Sequence, residues 1–190
     1  MSADFSYTTA DNYPEGELTG FEFEARQALG NYWDSLDGFS VGGNATFIES
    51  EVTLPQEDID AFELLGVPLR ERDATNAPEY LYNLFITYDH FETATQAALF
   101  YTVKGDTLVA GAGQADQNFI PDVYEKEVGT LNFSLSKRIG ENIRLEFKAK
   151  NLTNPDIEQV YRSKFVPGGD ATRTSFTRGT EYSFGISITN

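Results

Sequence analysis

The stretch LNFSLSKRIGENIRLEFKAKNLTNPDIEQVY, from Leu131 to Tyr161, decides the fold. Apolar and polar residues alternate in two runs on either side of a short break. The apolar set is Leu131, Phe133, Leu135, Ile143, Leu145, Phe147 and Ala149. A period of two puts this set on one face of a sheet and the charged residues Arg144, Glu146, Lys148 and Lys150 on the other. Ile139–Asn142 predicts a tight turn in which Gly140 takes a positive φ, and the turn formers Asn151–Pro155 end the second strand. The stretch therefore predicts a two-faced antiparallel hairpin.

Composition limits the possible functions. The 190 residues suffice for one domain or for a piece of something larger. With 14 Lys+Arg and 30 Asp+Glu the net charge is −16, which argues against nucleic-acid binding. The absence of cysteine excludes disulfides, thiolate metal sites and cysteine nucleophiles. No run approaches the roughly 18 apolar residues of a membrane helix, and the first residues lack the pattern of a signal peptide. Fifteen Phe and ten Tyr indicate strands.

The hairpin pattern recurs along the chain and predicts an all-β fold with about eight strands. Beside the two strands of the hairpin, the predicted strands are Ala3 to Thr9, Leu18 to Leu29, Phe39 to about Val52, Glu79 to Asp89, about Thr93 to Val103, and Tyr182 to Thr189. One short helix is possible within the 53–78 connection, from Gln56 to Leu65. There the apolar residues recur at helical spacing, and Gly66 and Pro68 follow as stops.

The links between the strands alternate in length. Long connections are expected at 53–78, 104–127 and 154–178, and short turns near Trp33, Phe91 and Gly140. If each strand pairs with its predecessor, all long loops fall at one end of the sheet and all short turns at the other. Outer-membrane barrels have this asymmetry. We therefore predict an antiparallel up-and-down meander, part of a transmembrane β-barrel that is open or partly closed.

The free-energy cost of placing a charge in lipid predicts which face of such a barrel meets the membrane. One Arg or Lys facing lipid near the midplane costs about 2–4 kcal/mol. We therefore expect Arg144, Glu146, Lys148 and Lys150 to face an aqueous lumen, and the apolar set to face acyl chains. A soluble sheet with one wet face would produce the same alternation.

Four segments carry a family resemblance. They are Gly16–Glu24 (GELTGFEFE), Ala77–Tyr80 (APEY), Asn151–Asn154 (NLTN) with Tyr161 following, and Arg178–Ile186 (RGTEYSFGI). In order and spacing they resemble the C-terminal part of the β-barrel of a TonB-dependent outer-membrane receptor. The resemblance implies that residues 1–190 form a C-terminal barrel portion that lacks the plug domain. It also implies a location in the cell outer membrane of a Gram-negative type bacterium, with loops 53–78, 104–127 and 154–178 extracellular and the C-terminus periplasmic.

The resemblance further implies transport, with no enzymatic activity and no cofactor. The full receptor would take up a scarce ligand such as a ferric chelate, cobalamin or a glycan through its extracellular loops. Its other partners would be outer-membrane lipid and TonB, the latter only through an N-terminal region absent from this chain. Two alternatives stay open: a self-contained eight-stranded outer-membrane barrel with a structural or adhesive role, and a soluble lipocalin-like β-barrel for a small ligand.

The sequence marks no catalytic, metal or cofactor residue, and the ligand-binding residues stay unknown. His90, the single histidine, lies in a predicted turn, and no nucleophile elbow surrounds any serine. Glu57, Asp58, Asp60 and Glu63 lack calcium-loop spacing and predict a solvated acidic loop. Gly111-Ala112-Gly113 predicts a flexible loop tip, and no strand-to-helix junction surrounds it to support phosphate binding. An anionic ligand could contact the following loop residues: Tyr124, Arg162, Lys164, Arg173 and Arg178.

Overall fold

The chain folds almost entirely into antiparallel strands in a computed structural model that describes residues 13–189. The strands are β1 Glu15–Ala28, β2 Phe39–Thr53, β3 Glu71–Arg72, β4 Tyr80–His90, β5 Thr95–Lys104, β6 Thr107–Ala110, β7 Gly113–Ala115, β8 Asn118–Ile120, β9 Asp122–Glu125, β10 Val128–Ile139, β11 Ile143–Lys150, β12 Ile157–Arg162, β13 Ala171–Phe176 and β14 Glu181–Ile188. The helix α1 is Gln56–Leu64, and two single 3-10 turns, Leu29–Asn31 and Asp34–Leu36, follow β1.

Seven long strands form the main sheet in the order β1-β2-β4-β5-β10-β11-β14, with β3 paired to the end of β2. All six pairings between them are antiparallel, and each long strand lies beside the previous long strand of the chain. This confirms the predicted meander. The sheet is open, since β1 and β14 lie at its two edges. Six reversals leave these edge strands running in the same direction, so antiparallel closure requires an odd number of additional strands.

Strand bounds agree with the prediction to within a few residues in the described range. The predicted strand Ala3 to Thr9 lies outside the described residues. Gly140 has a φ of 63° in the turn between β10 and β11, as the hairpin pattern required. Helix α1 ends at Leu64, and Gly66 with a φ of 75° follows it.

All three predicted long loops contain additional strands, and there the prediction was wrong; residues 53–78 hold the two-residue strand β3. Residues 104–127 hold β6 to β9, and residues 154–178 hold β12 and β13. These strands are three to six residues long. Such short segments show too few alternations to be distinguished from loop sequence, and they exist because they pair with each other. A four-stranded sheet, β13-β12-β9-β6, and the hairpin β7-β8 result.

The main sheet has an apolar and a polar face, as the alternation predicted. Large side chains are exposed on the apolar face: Phe21 is 69% accessible, Phe184 82% and Ile186 70%. On the polar face, Asn83 Nδ2 donates to Asn44 Oδ1 at 2.8 Å and Thr102 Oγ1 donates to Asn83 Oδ1 at 2.8 Å. The exposed apolar face exceeds what a soluble monomer normally presents to water.

The buried core lies at the loop end of the main sheet. We call this part the cap; it comprises residues 53–78, 105–127 and 152–180. The buried apolar residues of the described range are Leu54, Ile59, Phe62, Val67, Leu108, Val123, Ala149, Ile157 and Val160. All of these except Ala149 belong to the cap. The three long connections are therefore one packed unit at one end of the sheet.

Candidate functional site

Helix α1 anchors the first long connection to the other two. Ile59 and Phe62, spaced three residues apart, face inward and are buried together with Leu54 and Val67. The Phe62 ring meets the Phe119 ring edge-on at 5.7 Å between centroids. Phe119 in turn meets Phe165 edge-on at 6.5 Å. Since Phe62, Phe119 and Phe165 come from three different connections, this aromatic contact joins all three.

An ion network ties the second connection to the third. Asp106 accepts hydrogen bonds from Lys126 Nζ at 2.9 Å, Arg162 Nη2 at 2.7 Å and the Glu127 amide at 2.7 Å. Arg162 also donates from Nε and Nη2 to the two carboxylate oxygens of Asp170, at 2.9 and 2.7 Å. Burial alone would raise the pKa of Asp106, but its hydrogen bonds from Lys126, Arg162 and the Glu127 amide outweigh burial and lower it. The bidentate bond to Asp170 raises the pKa of Arg162.

A second polar cluster lies deeper in the cap. Tyr124 Oη donates to Asp73 Oδ2 at 2.6 Å, and burial, reinforced by Asp73, raises the pKa of Tyr124. The Arg72 side chain is only 8% exposed; its Nη1 lies 4.0 Å from Asp122 Oδ1, and its buried Nε has no hydrogen-bond partner among the described residues. Burial lowers the pKa of Arg72 and raises that of Asp122. A Cβ on Gly111 would overlap the Arg72 guanidinium, so a larger residue here would force that buried side chain to move.

The NLTN segment, Asn151–Asn154, joins the cap to the main sheet. Asn151 and Asn154 have positive φ angles of 56° and 40°, which asparagine tolerates better than most residues. The Asn151 amide N–H donates to Asn132 Oδ1 at 3.0 Å, and Asn151 Nδ2 donates to the Gly179 carbonyl at 2.8 Å. Thr153 Oγ1 donates to the Gly129 carbonyl at 2.9 Å. The segment thus links the loop ends of β10, β11 and β14.

A cavity of about 550 Å³ lies beside this segment, on the polar face and below the cap; we call it the junction cavity. Two ion pairs belong to its lining: Lys104 Nζ to Glu125 at 2.5 Å and Lys150 Nζ to Glu181 at 3.0 Å. Arg178 reaches its rim and has no hydrogen-bond or ion-pair partner in the described part of the chain. The remaining lining is mostly neutral and includes Thr130, Asn132, Asn151 and Thr180. Val128, Pro155 and Ile157 add apolar surface, so the cavity has a mixed lining in which charged and hydrogen-bonding groups stand beside apolar ones.

The five loop residues predicted as possible ligand contacts do not form one site, and among them Tyr124 and Arg162 alone contact each other. Tyr124 and Arg162 are held in the two polar clusters, and the Arg162 guanidinium also lies 4.6 Å from the Tyr124 ring centroid. Arg173 donates to Gln159 Oε1 at 2.9 Å, and Lys164 Nζ lies 5.3 Å from the Phe165 ring centroid. Only Arg178 lines the junction cavity.

Other sequence candidates have local roles. His90 is the last residue of β4, and its Nδ1 accepts a hydrogen bond from the Thr93 amide at 3.2 Å. The acidic group Glu57, Asp58, Asp60 and Glu63 belongs to α1, where Glu63 pairs with Arg70 at 2.5 Å. Within residues 13–189 no three potential metal ligands form a cluster.

The interpretation of residues 111–113 as a flexible loop tip was wrong. Gly111 packs against Arg72, and the Ala112 amide donates to Asp122 Oδ1 at 2.7 Å. The tip of the β7-β8 hairpin is instead Asp116 and Gln117, both with positive φ.

Sequence reasoning missed the residues that organise the cap, namely Asp106, Lys126 and Asp170, and also Lys104 and Thr130 of the cavity. No local signal identifies them, because each has its partners or cavity neighbours on a different segment of the chain. Their charges are unremarkable in a sequence with 30 acidic and 14 basic residues.

No helix in the described range has the length and hydropathy needed to cross a membrane. Comparison with curated proteins and with solved structures finds no match. The family model described as "TonB dependent receptor-like, beta-barrel" matches residues 2–152, which is most of the chain and includes six of the seven long strands completely, all but β14. This chain belongs to the TonB-dependent receptor β-barrel family, and its place is the outer membrane.

Proposed function

We propose that this chain supplies wall strands and a ligand-facing cap to an outer-membrane receptor that takes up a scarce ligand such as a ferric chelate, cobalamin or a glycan. The observation that carries the proposal is the combination of a two-faced sheet with one folded cap at its loop end. The apolar face meets lipid, and the polar face lines a lumen. The cap is extracellular, and the C-terminus lies on the periplasmic side.

The charges support this assignment of the faces. Arg144 and Lys148 both pair with Glu146 on the polar face, at 3.2 and 3.5 Å. Moving these side chains into hydrocarbon would cost several kcal/mol, since one such charge at the midplane costs about 2–4 kcal/mol. Tyr32 and Trp33, exposed at 66% and 58% in the first short turn, suit an interfacial aromatic girdle.

Cysteine labelling tests the orientation. Because the chain has no cysteine, single substitutions give unambiguous labels. We expect Lys164→Cys in the cap to react with a membrane-impermeant maleimide on intact cells, and Glu141→Cys in the β10-β11 turn to react only after lysis. Labelling of the turn and not of the cap on intact cells would reverse the assignment.

The same protein preparation distinguishes the proposed receptor wall from a self-contained barrel and from a soluble lipocalin-like barrel. A self-contained barrel needs at least one more strand than the seven described, and it would migrate differently on a gel before and after heating. A soluble lipocalin-like barrel would stay in solution without detergent and unfold cooperatively. Ligand uptake itself requires transport measurements on cells whose receptor contains this chain, with energy depletion expected to abolish accumulation.

A further inference from the structure

We propose that the junction cavity binds a carboxylate group of a small molecule through Arg178, which would assign a ligand chemistry to this receptor wall. The inference rests on the proposed uptake function for its biological meaning. The binding step itself depends only on the cavity and can be tested separately.

The charged residues that line the cavity favour an anionic ligand. Its lining contains three cations, Lys104, Lys150 and Arg178, and two anions, Glu125 and Glu181, which leaves a surplus of one positive charge. Both lysines are paired, at 2.5 and 3.0 Å, so the surplus resides on Arg178.

Hydrogen bonds made by the residues that follow Arg178 hold the backbone beside it in place. The next residue, Gly179, donates its amide N–H to Asn154 Oδ1 at 2.8 Å and accepts from Asn151 Nδ2 at 2.8 Å. Thr180 Oγ1 donates to the Asn151 carbonyl at 3.1 Å. The backbone that carries Arg178 is therefore held against the NLTN segment, and less conformational entropy is lost when a ligand binds.

The donors around the cavity match a carboxylate. A guanidinium presents a planar fork that binds a carboxylate or a phosphate with two parallel hydrogen bonds. The hydroxyl of Thr130 also lines the cavity, and this side chain has no partner within residues 13–189. A carboxylate of charge −1 neutralises the surplus, whereas a phosphate monoester carries about −1.5 to −2 at pH 7 and would leave an excess of negative charge beside Glu125 and Glu181.

The cavity also has the size of a ligand site. Its volume of about 550 Å³ lies within the range of about 300–1,000 Å³ that small-molecule pockets occupy. Its lining residues come from β5, β9, β10, β11, β12 and β14 and from the segments before β12 and β14. A molecule in the cavity would thus contact both the sheet wall and the cap.

The test is a titration of the full 190-residue chain in detergent micelles with sodium acetate, followed by the 15N NMR signal of the Arg178 side chain and by backbone amides around Gly179. We expect saturable shifts that Arg178→Gln reduces at least tenfold in apparent affinity. Arg173→Gln is the matched control, because Arg173 bonds Gln159 in the cap and does not line the cavity. Thr130→Val, which removes a second donor without a charge change, should weaken binding severalfold.

Three outcomes would overturn the proposal: shifts that do not saturate, equal acetate affinity of Arg178→Gln and the parent chain, or tighter binding of inorganic phosphate than of acetate. Failure of the cysteine-labelling experiment would contradict the proposed function while leaving this titration unaffected. The two failures are therefore distinguishable.

Discussion

Removing the Phe62 ring should open the α1 part of the cap without affecting the main sheet. Phe62 is 3% exposed and packs with Leu54, Ile59 and Val67, while its ring meets Phe119. Phe→Ala changes in cores cost about 3–5 kcal/mol. We take the lower end, about 3 kcal/mol, because α1 lies at the surface and its side chains can partly collapse into the space.

The expected effect is a local change in hydrogen exchange. At about 1.4 kcal/mol per tenfold, a loss of 3 kcal/mol raises the open population roughly a hundredfold. Amides of residues 54–69 in Phe62→Ala should therefore exchange roughly a hundredfold faster by mass spectrometry of the micelle-bound chain. Peptides from β4 and β5 should be unchanged.

Leu64→Ala is the matched control, because Leu64 lies on the same helix and is 88% exposed. Its effect should stay within about 0.5 kcal/mol. If Phe62→Ala and Leu64→Ala exchanged alike, or if the acceleration extended equally through β4 and β5, the cap would not be a separate packed unit and the reasoning would fail.

Three further predictions follow from the cap and the two faces. Hydrogen bonds hold the pKa of Asp106 below its ordinary value of 3.8, so the stability that this carboxylate contributes is present above about pH 4 and is lost as the pH falls through the lower folded value. Asp106→Asn should therefore reduce cap protection at neutral pH and flatten its acid dependence, measured by exchange between pH 5 and about pH 2; an unchanged acid profile would contradict this. Gly111→Ala should displace the buried guanidinium beside it and cost about 1–3 kcal/mol of cap stability, whereas Gly113→Ala, whose Cβ meets no atom within 4 Å, should cost little. Equal proteolysis of the two variants would rule out the steric argument. Ile86→Lys on the apolar face should lower the stability of the chain in lipid vesicles by about 2–4 kcal/mol relative to its neighbour Thr87→Lys on the polar face, as read from denaturant unfolding, and the reverse order would exchange the lumen and lipid faces.

The main sheet was predictable because the residues that determine its strands and turns are neighbours in the sequence. Along β11, Ile143 to Ala149 alternate strictly with charged residues, and a strand of that length repeats the pattern often enough to define both faces. Gly140 likewise predicted the turn between β10 and β11, since a positive φ in a short connection favours glycine. The family also follows from the sequence, because its motifs lie in these same strands and turns.

The cap was predictable only in part. Helix α1 has a local signal, in that Ile59 and Phe62 recur at helical spacing before Gly66. The strands β6, β9, β12 and β13 have none, because each has only four to six residues. They form strands through pairing with one another, and the pairing of β9 with β12 spans more than thirty residues of sequence, as when Val160 lies opposite Tyr124.

By itself the sequence determined a two-faced antiparallel meander, the direction in which its charges face and the family to which it belongs. Side-chain alternation and turn formation depend on residues that are neighbours in the sequence, so the sequence alone predicts them. Only the tertiary structure decided that Arg162 is held by Asp106 and Asp170, while Arg178 beside the junction cavity has no partner within residues 13–189. Whether a charge is paired depends on which distant segments meet, and that is a property of the folded chain.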